Sequence, residues 1–169
     1  MIQKHIPGFH AKKFPSVAEE NFATFLEAHR KGDFATLAGV TTDGLYDTLK
    51  SEIKASVKKG RSRSAFRLLE FREPAQVLQM RHHRPQRMNK TIGWGQVTCK
   101  LCCVREKIMV NAKGNEIVRP KGEQIPILDN VTIGTFEFFF ADPTKRWRIA
   151  FLEELATGPG ATGRQVFRE

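Results

Sequence analysis

The hydrophobic period of the chain changes once, at Gly60. Before it, apolar residues recur every three or four positions, as in Phe22, Phe25 and Leu26 and again in Leu45, Leu49, Ile53 and Val57. That is the spacing of helices with one buried face. After it, apolar and polar residues alternate, the spacing of half-buried strands. Helices first and strands afterwards predict an α+β fold, with N-terminal helices packed on one face of a curved antiparallel β-sheet. A chain of 169 residues, 40% hydrophobic and with 13 Phe, can bury one core of this kind without staples.

Local signals place the boundaries. Residues 1–15 read as an extended basic arm, broken by Pro7-Gly8 and Pro15. Its Lys12 and Lys13 lie between Phe9 and Phe14, which suits a membrane surface and an RNA path equally. Ser16 with Glu19 spells a capping box for the first helix, and Gly32 ends it. Asp33 caps a short second helix through Leu37 and Val40. Thr42 or Asp43 opens a third, and Gly60 stops it. Strands are expected near 66–71, 75–84, 92–110, 131–141 and 146–155, the third bending at Gly93 or Gly95. Asn111 to Asn115 has hairpin-turn chemistry, with 116–119 returning as a strand. Residues 16–156 therefore form the domain, and 157–169 a flexible tail containing Gly and Pro.

Charge is the second constraint. The net charge is +10, and two stretches, 53–69 and 74–105, contain no Asp or Glu. The first holds Lys54, Lys58, Lys59, Arg61, Arg63 and Arg67. The second holds Arg81, Arg84, Arg87, Lys90, Lys100 and Arg105. Like charges crowded without local counter-ions repel, and an anionic partner relieves the repulsion. Phosphate is the expected partner, as nucleic acid or as anionic lipid head groups. A basic face kept only for solubility is the competing explanation.

Other chemistry finds weaker support. No apolar run approaches the ~20 residues of a membrane-spanning helix, and phosphate-loop, dinucleotide, nucleophile-elbow and zincin motifs are all absent. The three cysteines lie within Cys99-Lys-Leu-Cys102-Cys103, too close for a disulfide framework, which fits a reducing compartment. On a strand Cys99 and Cys103 face one way and Cys102 the other, so no zinc pair is presented. His82 and His83 fall on opposite strand faces with no carboxylate nearby in sequence to orient either. Tyr46, flanked by Asp43 and Asp47, is a packing residue before it is an acid–base group. Trp94 and Trp147 could stack bases, but their alternating neighbours favour the core for both. Phe136, Phe138 and Phe140 should line one strand face and meet the helical stripe. No cofactor is expected.

Several strings occur in a familiar order: Arg67-Leu-Leu-Glu70, then Glu73-Pro-Ala-Gln-Val-Leu-Gln-Met-Arg81, then Gly95-Gln-Val-Thr-Cys-Lys100, then Trp147-Arg148. Over residues 16–156 this order resembles the Tim-forty-four-like domain family, and within it the mitochondrial large-ribosomal-subunit branch of the L-forty-five type. The resemblance implies a cone-like fold similar to the nuclear transport factor two superfamily. It also implies a non-enzymatic, rRNA-binding protein of the mitochondrial matrix, near the peptide exit of the large ribosomal subunit. Its partners would be rRNA, neighbouring mitochondrial ribosomal proteins, and inner-membrane lipids with their insertion machinery. On that reading the RNA-binding residues are Lys54, Lys58, Lys59, Arg61, Arg63, Arg67, Arg81, Arg84, Arg87 and Lys90. A peripheral subunit of the mitochondrial import motor is the alternative from the same family. A small isomerase or ligand carrier using Tyr46 or Asp43 is the alternative from another class.

Overall fold

Three helices precede an antiparallel sheet in the computed structural model, which describes residues 9–83, 93–142, 144, 146–155 and 166–167. The helices are α1 (Phe14–Lys31), α2 (Phe34–Val40) and α3 (Asp43–Lys58). The strands are β1 (Arg63–Phe71), β2 (Gln76–His83), β3 (Trp94–Val110), β4 (Ile127–Phe139), β5 (Arg148–Leu155) and the two-residue β6 (Val166–Phe167). The fold is α+β with an open sheet, in the order β1-β3-β4-β5-β6. Strand β2 shares one edge of β3 with β1: β1 pairs with the segment 103–110, and β2 with the segment 94–100. The length of β3 is what allows two successive strands to dock end to end along it.

The start of α1 differs from the capping-box expectation. The helix begins at Phe14 with Lys13 at the cap position and no side-chain cap, and Pro15 occupies the first turn. Proline is suited to that place because its missing N–H would be unsatisfied there anyway. Ser16 is therefore inside the helix. Glu19 reaches across to β2 instead, accepting a hydrogen bond from the Ala75 N–H at 2.7 Å. Nor is the arm extended throughout: Phe9 is 2% exposed, 5.4 Å from the Phe14 ring and 5.9 Å from Trp147. Residues 1–8 lie outside the described residues.

The remaining helix signals hold. Gly32 ends α1 at φ 69°, a left-handed conformation that glycine adopts without a Cβ clash. Asp33 caps α2 by accepting from the Thr36 N–H at 3.1 Å. Thr42 is the cap of α3, whose Leu45, Leu49 and Ile53 are buried. Val57 departs from that stripe and is 44% exposed.

One face of the sheet carries the core. Val97, Cys99, Leu101 and Cys103 of β3 alternate inward, as do Phe136, Phe138 and Phe140 in and after β4, all at most 5% exposed. Phe139 points the other way at 42%. Phe14 of α1 meets Phe136 edge-on at 5.7 Å and Trp147 at 4.8 Å, so the phenylalanine stripe does meet the helices. Trp147 packs against this core. Trp94 does not: it sits half-buried on the opposite face, its ring stacked on His83 at 6.0 Å. A small second cluster of Ala65, Ile108 and Val110 occupies that opposite face.

Strict alternation fails at two bulges. The β1–β3 register shifts between Leu68 and Glu70, and the β2–β3 register between Val77 and Gln79. Each extra residue flips the faces beyond it. Phe66, Leu68 and Phe71 thus all pack on the core, as do Val77 and Met80, while Leu69 and Leu78 are exposed. The return strand expected at 116–119 is also missing. Only a single bridge joins Val110 to Glu116, and the chain runs irregularly until β4. At the C-terminus, Val166 and Phe167 pair with Glu153 and Leu152; the rest of the tail, 157–165 and 168–169, lies outside the described residues.

Candidate anion-binding surface

The acid-free stretches are not acid-free in space. Segments distant in sequence supply the carboxylates that these stretches lack. Arg67 pairs with Glu106 at 2.9 Å and with Glu116. Lys100 pairs with Glu73 at 3.2 Å. Arg105 is fully buried, and its Nη2 lies 2.7 Å from Glu154 Oε1 of β5. Contrary to the expectation from sequence, Arg67, Lys100 and Arg105 therefore need no counter-ion from outside. Sequence distance hid the partners, since antiparallel pairing brings together residues dozens of positions apart.

The end of α3 is different. Lys54, Lys58, Lys59 and Arg61 are all exposed and form no ion pair with a described residue. Arg63, next along the chain at the head of β1, is half-buried; its Nη2 donates to the Arg30 carbonyl at 2.9 Å. Its Nη1 is buried without a hydrogen-bond partner among the described residues. Burial holds the Arg63 pKa below its ordinary value, and with it a guanidinium that no described carboxylate neutralises. Burial, seconded by the Arg63 charge, also pushes His29 down to about 4, so this imidazole stays neutral at physiological pH.

Of the remaining cations of the second acid-free stretch, only Arg81 lies among the described residues. Arg81 is exposed on β2. Arg84, Arg87 and Lys90 lie outside the described residues. His82 and His83 are both exposed and face opposite ways, paired in register with Gly95 and Trp94. Trp94 lies between His83 of β2 and Phe139 of β4 in register, while Arg81 pairs with Gln96.

Two lysines that sequence reasoning missed join the α3 end. A cleft of about 340 Å³ opens between the ends of α1 and α3 and the 111–114 turn. Lys31, Lys54, Lys58, Arg63 and Lys113 line it, and none of its lining residues is a carboxylate. The turn is pressed against α1: a Cβ at Gly114 would stand 2.5 Å from the Lys31 carbonyl oxygen, and Gly114 has φ 80°. The exposed Val57 is part of its wall. No local signal announces the grouping, because its members come from three separated segments.

The remaining candidates stay apart. Asp43 has a 98% exposed side chain, 3.7 Å from Arg148, while Tyr46 is half-buried with the Lys50 ammonium over its ring at 5.1 Å. Cys99 and Cys103 are buried and Cys102 faces the other side near Glu73. Burial drives the Cys99 thiol up to about 12 and Cys103 to about 11. Among the described residues no three His, Cys, Asp or Glu side chains gather as metal ligands, and no helix is long and apolar enough to cross a membrane. Compared with protein-family models and with curated proteins, the chain matches none.

Proposed function

We propose that this protein is a structural, rRNA-binding component of the mitochondrial large ribosomal subunit, working near the peptide exit and facing the inner membrane. Its α+β fold is then the cone-like arrangement of the Tim-forty-four-like domain, with no catalytic role. The observation that carries the reading is the unpaired quartet Lys54, Lys58, Lys59 and Arg61. Within the two acid-free stretches Arg67, Lys100 and Arg105 meet carboxylates, Arg63 is half-buried and Arg81 is exposed on β2, whereas these four stand exposed close together in sequence with no ion pair to a described residue. Grouped exposed cations of this kind suit a phosphate backbone, and such contacts fix position without reading sequence.

Binding carried by phosphate contacts weakens with salt, by roughly 0.7 to 0.9 log units of affinity per contact per decade. The test uses a charge-reversed protein, Lys54→Glu, Lys58→Glu, Lys59→Glu and Arg61→Glu, whose fold is checked by circular dichroism. The folded variant should fail to comigrate with large ribosomal subunits after a high-salt wash, with nuclease controls. Normal incorporation of the variant would remove the quartet from the interface. A wild-type protein found only with membranes or the import machinery would end the ribosomal reading.

A further inference from the structure

The cleft between α1, α3 and the 111–114 turn is a built site rather than part of a diffuse basic surface. It gathers five cations from three segments and no carboxylate. Part of that charge has a structural use. Lys31 sits in the last turn of α1 and Lys58 in that of α3, where helix ends carry about half a negative charge each. Lys31 also pairs with Glu27 at 2.9 Å on the exposed surface. The two helix ends together supply about one negative charge and Glu27 another, against five cations. An excess of positive charge therefore remains, held between protein walls of low polarisability that strengthen its field.

Arg63 makes the excess specific. Its side chain is part of the cleft lining, with Nη2 on the Arg30 carbonyl and Nη1 buried without an acceptor among the described residues. A half-buried cation with an unspent donor costs stability unless a ligand or a neighbour offsets it. No described carboxylate neutralises it, so its charge adds to the field that an anion seated in the cleft would meet.

We propose that this cleft seats a backbone phosphate of single-stranded RNA, with Lys54, Lys58 and Lys113 on the rim and Arg63 beneath. The proposal rests on the rRNA-binding reading and locates the point at which the strand enters the fold. Lys113 is the discriminating residue, because it belongs to a turn far in sequence from the α3 quartet. The turn itself survives its replacement, since its geometry uses the Lys113 backbone N–H on Asn111 Oδ1 at 2.9 Å.

The full-length chain is titrated with a fluorescein-labelled oligouridylate across a salt series. Lys113→Gln should lower the slope of log affinity against log salt by about 0.7, the value of one single-strand contact. Ala112→Phe, which plugs the cleft without changing charge, should weaken binding about tenfold. Arg63→Gln should weaken it too, and the two preceding variants decide the matter if that one fails to fold. If Ala112→Phe and Lys113→Gln bind like wild type while Lys59→Gln with Arg61→Gln binds weakly, the cleft proposal is overturned and the surface reading survives. If the wild-type chain binds no RNA, both fall. If Ala112→Phe loses cardiolipin-containing vesicles but keeps the oligouridylate, the cleft is a lipid site and the proposal is wrong.

Discussion

Arg105 of β3 and Glu154 of β5 form an ion pair at 2.7 Å beneath α1, with side chains only 2% and 7% exposed. The Arg105 guanidinium also lies 4.7 Å from the centre of the Phe66 ring. The pair bridges two strands that are not neighbours, since β4 runs between them. Desolvating both charges nearly cancels their attraction, so the pair itself adds little, but either charge alone is costly.

Glu154→Ala should therefore destabilise the protein by roughly 3–5 kcal/mol in urea unfolding. Arg105→Met combined with Glu154→Leu should recover most of that loss, because packed apolar groups replace the pair. A double variant as unstable as Glu154→Ala would mean the charges are needed for the fold itself.

Protonation of His29 should cost stability in acid. Burial, then Arg63, holds its folded pKa at about 4, below the ordinary histidine value of about 6.5. Between those values the unfolded chain binds a proton that the folded chain refuses, so stability falls as pH drops through that window. The loss amounts to about 2–3 kcal/mol by pH 4. Wild type should lose that much more than His29→Asn when unfolding is compared at pH 7 and pH 4. Equal losses would show a solvated imidazole.

The two residues of the expected capping box should behave oppositely. Ser16→Ala, inside α1 and exposed, should change stability by no more than about 0.5 kcal/mol. Glu19→Ala removes the acceptor for the Ala75 N–H and should cost about 1–3 kcal/mol. Calorimetric melting of the two single variants separates these outcomes, and a larger effect at Ser16 would contradict the observed start of the helix.

Thiol chemistry should report the sheet faces. With Cys99 pushed up to about 12 and Cys103 to about 11, neither supplies thiolate at pH 8. Cys102, raised first by burial and then by its contact with Glu73, is the accessible one. An aromatic disulfide reagent should modify at most one thiol in the native protein and three in denaturant. Fast reaction of two native thiols would place a second cysteine outside the core.

Features set by adjacent residues were readable before any coordinates. The change of period at Gly60, the Asp33 cap, the Gly32 stop and the facing of Phe136, Phe138 and Phe140 depend on local geometry, in which each residue constrains its next few neighbours. The α+β architecture follows from those elements in order. The capping box failed because Phe9 and Phe14 bury together and draw the helix start three residues back, a tertiary override of a local motif.

Ion pairing, strand parity and the basic cleft were settled only by the folded chain. Coulombic attraction acts through space, so Glu106, Glu116 and Glu154 could neutralise Arg67 and Arg105 whatever their separation in sequence. Bulges in β1 and β2 arise from how each strand must bend along β3, a demand made by the partner strand. Lys31, Lys58 and Lys113 converge because two helices end beside the 111–114 turn. Amino-acid order dictates which groups carry charge; packing dictates which of those charges are left for something else to meet.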